Sequence, residues 1–187
     1  IHREAIAPLL RAGTKEAFQA LFDAAVLQKD PAARALMIAA LADFPASDTL
    51  ARGPTGAASK DAAVRTVAVA VLAGRDDGAG LDAVRAALRD RDEDVRAEAI
   101  RGLLHARAAD AAEELLALMT GASPDEALAA LDAAVTLRGD DPELARLAVA
   151  AATALPPESR IDAAPTLARI PGPDALSPLI ALLEDES

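Results

Sequence analysis

The chain contains no cysteine, tryptophan or tyrosine, and its only aromatic residues are Phe18, Phe22 and Phe44. Without cysteine there is no disulfide framework, thiolate metal site or thiol nucleophile, and 187 residues are enough to bury a core without such staples. That absence leaves the compartment open, with the cytoplasm the favoured expectation. Histidine is nearly missing too. His2 and His105 lie 103 residues apart and neither has a histidine one helical turn away, so no zinc site with three or four convergent ligands is expected. Basic residues are in deficit, 19 Lys and Arg against 30 Asp and Glu, which gives a net charge of −11. Such a surface repels phosphate backbones, and no Lys/Arg-rich run offsets it, so nucleic acid is not an expected partner. No charge-free apolar run of about eighteen residues is present, and the N-terminus has no basic-then-apolar signal segment, so no membrane span is expected. Serine nucleophiles lack the Gly-x-Ser-x-Gly elbow. Acidic residues are spread along the helices, with no carboxylate pair set apart as general acid and base. The reading is of a protein that is not an enzyme, binds no cofactor or metal, and takes no small molecule.

What the chain does have is alanine and a repeat. Apolar residues make up 52% of it, mostly alanine, which has the best helix propensity and lets helices approach closely. Asp92, Val95-Arg96, Ala99 and Gly102-Leu103 recur 31 residues earlier as Asp61, Val64-Arg65, Ala68 and Val71-Leu72. Another 31 residues back stand Asp30, Ala33-Arg34, Met37 and Ala40-Leu41. The register extends to Arg3 and to Arg160, while a copy at Leu128, Leu131 and Ala134-Val135 has lost the arginine. A fixed period of about 20 to 50 residues is the mark of stacked supersecondary units.

Between these segments lies a second helix type with apolar residues at i, i+3, i+4 and i+7. Its stripes are Phe18/Leu21/Phe22/Ala25, Ala112/Leu115/Leu116/Met119, Leu144/Leu147/Ala148/Ala151 and Leu176/Leu179/Ile180/Leu183, with a weaker Leu81/Val84/Leu88 in which Arg85 takes the fourth place. The unit is a helical hairpin, helix A then helix B. Asp30-Pro31, Ser123-Pro124 and Asp141-Pro142 each read as an N-cap followed by proline at the first helical position. Gly13, Gly74 and Gly139 read as left-handed closures of B helices.

The phrase Asp92-Glu93-Asp94-Val95-Arg96-Ala97-Glu98-Ala99 resembles the HEAT-like repeats of bacterial type, including those of phycobilin lyases, and the stretch from Pro173 to Asp185 resembles their helix A. The resemblance covers nearly the whole chain. It implies an all-α fold, an α-solenoid of about five to six hairpins wound as a right-handed superhelix, in a single domain over residues 1–187. It also implies a structural ladder in which Asp30, Asp61 and Asp92 pair with Arg34, Arg65 and Arg96, within or between units. Arg3 and Arg160 have no aspartate four residues before them and fall outside such a ladder. Alkylpurine DNA glycosylases built on similar repeats imply a basic groove with tryptophans, which this composition does not supply.

Three departures from the pattern carry expectations. The second helix A, near residues 45–58, has Thr, Arg and two Gly on its expected apolar stripe, so a short helical turn at most, followed by loop, is predicted there. Helix B of that unit is rich in valine, and its cover is either a neighbouring A helix or missing, which would leave an apolar notch. The run from Gly53 to Lys60 lacks the Gly-Lys-Ser/Thr order of a phosphate loop. Pro8 and Pro165, each five residues after its arginine, predict bent B helices. Because the sequence starts within a B helix and stops after an A helix, it reads as a segment of a longer protein.

On a helical wheel, Glu98, Arg101 and His105 lie on the face of their B helix away from the core. The matching positions are Ala35 and Ala39, Thr66 and Ala70, Ala129 and Ala133, and Arg169. These residues are the candidate partner-binding surface, mostly small, with one charged stripe. The expectation is a non-catalytic protein-protein interaction scaffold whose B helices face a partner protein or a neighbouring domain. Two alternatives stand beside it: a lyase-like or chaperone-like helper holding a cofactor or client, as the phycobilin lyase resemblance implies, and a structural spacer in a larger bacterial protein.

Overall fold

The structure is a computed structural model that describes residues 3–45, 49, 53 and 55–171. Every regular element among them is helical, and none is a strand. None of the described helices is long and apolar enough to cross a membrane. The chain divides into two compact units, Ile1–Ala106 and Arg107–Ser187, each with its own core.

The first unit contains α1 (Arg3–Ala12), α2 (Lys15–Leu27), α3 (Pro31–Ala42), α4 (Ala62–Ala73), α5 (Leu81–Ala87) and α6 (Glu93–His105). Helix α3 packs on α4 and α4 on α6, so the aspartate-capped helices form a row; α2 packs against α3 and α4, and α5 against α4 and α6. The second unit contains a 3-10 turn (Ala109–Ala111), α7 (Ala112–Leu118), α8 (Pro124–Arg138), α9 (Pro142–Thr153) and α10 (Pro157–Leu167). There α8 packs on α7, α9 and α10.

Local chemistry explains where these helices start. The Asp30 carboxylate accepts from the amides of Ala32 and Ala33, Asp61 from Ala63, and Asp92 from Asp94. Ser123 accepts from the Glu126 amide, and Asp141 from those of Glu143 and Leu144. Each satisfies amide donors that have no partner within the helix. Asp30→Ala should cost about 1 kcal/mol and Asp30→Asn only a fraction of that, read from urea unfolding midpoints.

The apolar stripes meet in the cores. Phe18, Leu21, Phe22 and Ala25 of α2 bury against Met37 and Leu41 of α3 and Val67, Ala68 and Val71 of α4. The three aromatic rings cluster, with Phe18 edge-on to Phe44 at 5.4 Å between centroids and beside Phe22 at 6.1 Å. In the second unit Leu115, Leu131, Leu144 and Leu167 are fully buried.

Four expectations need correction or placing. Leu147 is exposed, and the inward line of α9 runs Leu144, Ala148, Ala152, so the stripe is turned by one position. Gly13 has the left-handed φ of +57°, but Gly74 and Gly139 do not. At Gly139 an added Cβ would lie 2.5 Å from the Val135 carbonyl oxygen, so that glycine answers to space and not to handedness. Near residues 45–58 the backbone is helical at Thr49, Gly53 and 55–57, where the sequence reading allows a turn at most. Its glycines are the reason: a Cβ on Gly53 would come within 2.4 Å of Leu72, and one on Gly56 within 2.9 Å of Ala68. Gly53 and Gly56 thus lie backbone-close to α4, whose Val67, Val69, Val71 and Leu72 are all buried, so these four leave no apolar notch among the described residues.

Pro8 and Pro165 lie inside α1 and α10, which continue through them. The Arg3 side chain and the helix A expected at Leu176 to Leu183 fall outside the described residues.

Candidate functional site

The resemblance implies pairing of Arg34, Arg65 and Arg96 with Asp30, Asp61 and Asp92, within or between units; the bonds of Arg34 and Arg65 go elsewhere. Arg34 donates from Nε to the Ala25 carbonyl at 3.1 Å. Arg65 donates to the carbonyls of Ser59 (2.9 Å) and Lys60 (3.1 Å), Arg96 to that of Asp90 (2.8 Å), and Arg160 to that of Leu155 (2.8 Å). Arg65, Arg96 and Arg160 tie down carbonyl groups of the segment just before their helix and Arg34 one in the last turn of α2, while the aspartates serve as caps. Arg160 can do the same because the bond requires no aspartate.

The carboxylate partner of Arg65 is Asp90, held by two parallel bonds of 2.8 Å from Nε and NH2. Both side chains are largely buried, 5% and 13% exposed. Burial pushes the Asp90 carboxyl up, but the Arg65 bond and the Asp92 amide outweigh it and hold the group below the usual carboxylate range. The same bond to Asp90 raises Arg65. Asp90 sits two residues before a cap and accepts that cap's amide, as Ser59 and Gln28 do at the same register. Of the three, only Asp90 carries a charge.

The expected partner surface is brought together in the first unit. Ala35, Ala39, Ala70, Glu98, Arg101 and His105 line one open groove of about 650 Å³. Thr66, with Glu98 and Arg101, borders a second hollow of about 310 Å³ alongside Arg34, Asp92 and Asp94. Helix α4 forms the groove because Ala70, Ala73 and Gly74 raise nothing above its floor, whereas Ile38 and Ala39 of α3 and Arg101 and His105 of α6 line it from the flanking helices. Gly102 sets the depth, since a Cβ there would stand 2.6 Å from that of Ala73.

The remaining surface residues belong to the second unit. Ala129 is exposed, but Ala133 is 1% exposed and lies in the core, so it offers no surface; its position on α8 faces the packed neighbours. Arg169 is exposed and bonded to Asp132 at 2.7 Å, and Thr166 donates to the same carboxylate.

Charge in the groove is ordered. Arg101 and Glu98 neutralise each other at 2.6 Å. Arg75 donates to the carbonyls of Ala42 (3.3 Å) and Phe44 (3.1 Å), which brings the end of α4 beside the end of α3. Asp43 and Asp76 therefore share one end of the groove. Asp77 is bonded to Arg75, and that bond with the Ala79 amide holds its carboxyl below the usual range. Sequence reasoning missed Asp43, Asp76, Ile38, Ala73 and Gly102; the aspartates could have been found as the residues just beyond each B helix. Among the described residues no three His, Cys, Asp or Glu side chains are placed to hold a metal ion. No protein-family model matches the chain, and no curated protein matches it significantly.

Proposed function

We propose that this chain is a non-catalytic protein-binding scaffold, a right-handed α-solenoid of about five to six HEAT-like hairpins that presents its B helices to a partner protein or neighbouring domain. The observation that carries this reading is the groove over α4, whose small floor and charged flanks come from residues spaced one repeat apart. Its lining contains no phenylalanine, tyrosine or tryptophan, unlike the aromatic-rich, enclosing pockets that hold small molecules. The HEAT-like reading is supported by the row α3, α4, α6 and by the cap and arginine that recur with each of its helices.

Ala39 is exposed on the flank of the groove, so Ala39→Trp fills the groove without touching the core. The variant should lose a partner that the unaltered chain retains from an extract of its source cells, as identified by mass spectrometry. Its melting temperature should stay within about 2 °C, as for substitutions away from buried features. Equal retention by both proteins would refute the groove as the binding surface.

A further inference from the structure

The junction between α3 and α4 holds one half of the bond that closes the junction between α4 and α6. Ser59 stands 25 residues after Arg34, as Asp90 stands 25 after Arg65. The Ser59 hydroxyl accepts the amide of the cap Asp61 at 3.2 Å, and the Asp90 carboxylate accepts that of the cap Asp92 at 2.9 Å, so the two side chains occupy the same place in the repeat. Where that place is charged, it takes two parallel bonds from the arginine one helix back in the row. Where it is serine, the arginine is left over. Arg34 is half-buried and donates only from Nε, to Ala25, and its two terminal nitrogens have no partner among the described residues. It lines the hollow of about 310 Å³ together with Ala62 and Ala63, the first two residues of α4, which brings it to the end of α4 that Ser59 precedes. The surroundings suit an anion. Arg65 donates to the Ser59 carbonyl and Arg91 to that of Lys60, and α4 adds the positive end of its dipole. Asp61 and Asp92 are taken up by helix amides, Asp90 by Arg65 and Glu98 by Arg101, which leaves the exposed Asp94 as the one unengaged carboxylate of the hollow.

We infer that Ser59 is a phosphorylation site whose phosphate pairs with Arg34, completing the rung that Asp90 and Arg65 form one repeat later. Ser59 is half-exposed and lies in the non-helical stretch between residues 55–57 and α4, where a kinase can reach it. The donor is a nucleoside triphosphate bound to a serine kinase. The hydroxyl oxygen attacks the γ-phosphorus, the Oγ–P bond forms as the bond to the bridging oxygen breaks, the nucleoside diphosphate leaves, and the hydroxyl proton passes to the base of the kinase. The product carries nearly two negative charges at neutral pH and reaches one bond further than a carboxylate at the same place. Its oxygens accept from the terminal nitrogens of Arg34 as those of Asp90 accept from Arg65. Modification thereby fastens α3 to the segment entering α4.

The test has two arms, both on the full chain. Protein purified from its source cells and read by peptide mass spectrometry should carry a phosphoryl group on Ser59. Protein produced with phosphoserine encoded at position 59 should melt about 4 °C above the unmodified chain at about pH 8. Arg34→Met should remove that gain when modified and unmodified forms of the variant are compared. Independently of any variant, the phosphorus NMR signal should titrate below its usual value of about 6 in the folded chain and return to it in urea. A group depressed in this way stabilises the fold fully above its unfolded value, and the gain shrinks as pH falls through the folded one. An unchanged melting temperature, a gain that survives Arg34→Met, or titration at the usual value would overturn the pairing. No phosphate on Ser59 at any stage of growth would overturn the modification. If inorganic phosphate then raises the melting temperature of the unmodified chain through Arg34, the anion of this junction is a free one.

Discussion

Arg65→Met lowers the melting temperature of the first unit by roughly 10 °C at neutral pH, because it leaves a largely buried carboxylate without its cation. Arg65 contributes four bonds, two to Asp90 and two to the carbonyls of Ser59 and Lys60. Arg91 reaches the same Lys60 carbonyl at 3.1 Å, so one junction between successive hairpins depends on this guanidinium. Methionine retains much of the stem but none of the donors. Arg65→Lys should recover only part of the loss, since an ammonium cannot form the two parallel bonds.

The same variant should have a distinct acid profile. Asp90 titrates below the ordinary carboxylate range in the folded chain and within it, at about 3.9, in the unfolded chain. Between those values the unfolded state binds more protons, so stability rises with pH. The contribution is complete above the unfolded value and is lost as pH falls through the folded one. The gap in melting temperature between the unaltered chain and Arg65→Met should therefore be widest at neutral pH and narrow below about pH 4 toward the share owed to the two carbonyl bonds, as followed by circular dichroism melts. A gap that stays constant down to strongly acidic pH would refute the assignment of Asp90 as the partner.

Gly102→Val is expected to cost roughly 3 kcal/mol, at the upper end of overpacking losses. An added Cβ would stand 2.6 Å from the Cβ of Ala73 and 3.4 Å from a methyl of Val84, and Ala73 has no rotamer through which to withdraw. The helices would have to separate, and the fully buried Val84 and Leu103 would lose contacts with them. The exchange Ala73→Gly/Gly102→Ala keeps the volume of the contact and should come within about 1 kcal/mol of the parent, the loss in each single variant being coupled. Urea midpoints measure both. A mild Gly102→Val would mean that α4 and α6 are less tightly apposed than described.

The helices were legible wherever their signal is local. Asp30, Asp61, Asp92, Ser123 and Asp141 act on amides two or three residues ahead, so cap and start are read from one short stretch. The helical backbone at Thr49, Gly53 and 55–57 was not legible, because Gly53 and Gly56 face Leu72 and Ala68, and contact through an absent side chain leaves no apolar letter in the sequence. The periodic arginines were found, but not their partners. Asp90 lies 25 residues from Arg65, and the matching positions hold serine and glutamine, so no repeated pair advertises the bond. Wheel positions located Ala35, Ala39, Ala70, Glu98, Arg101 and His105 on the groove. They misplaced Ala133 because one helical face cannot tell a shallow alanine from one covered by its neighbours.

The seam between α4 and α6 meets through Ala73 and Gly102, groups with no torsion to relax. Its spacing is thus fixed by hard-core repulsion and not by adjustable side chains, which makes the adjoining groove a rigid gauge. On the proposed binding reading, a segment laid in it meets a floor of Ala70, Ala73 and Gly74 already in its final shape. On the same reading, discrimination would fall on the guest's girth, since neither Ala73 nor Gly102 has a side-chain torsion with which to make room.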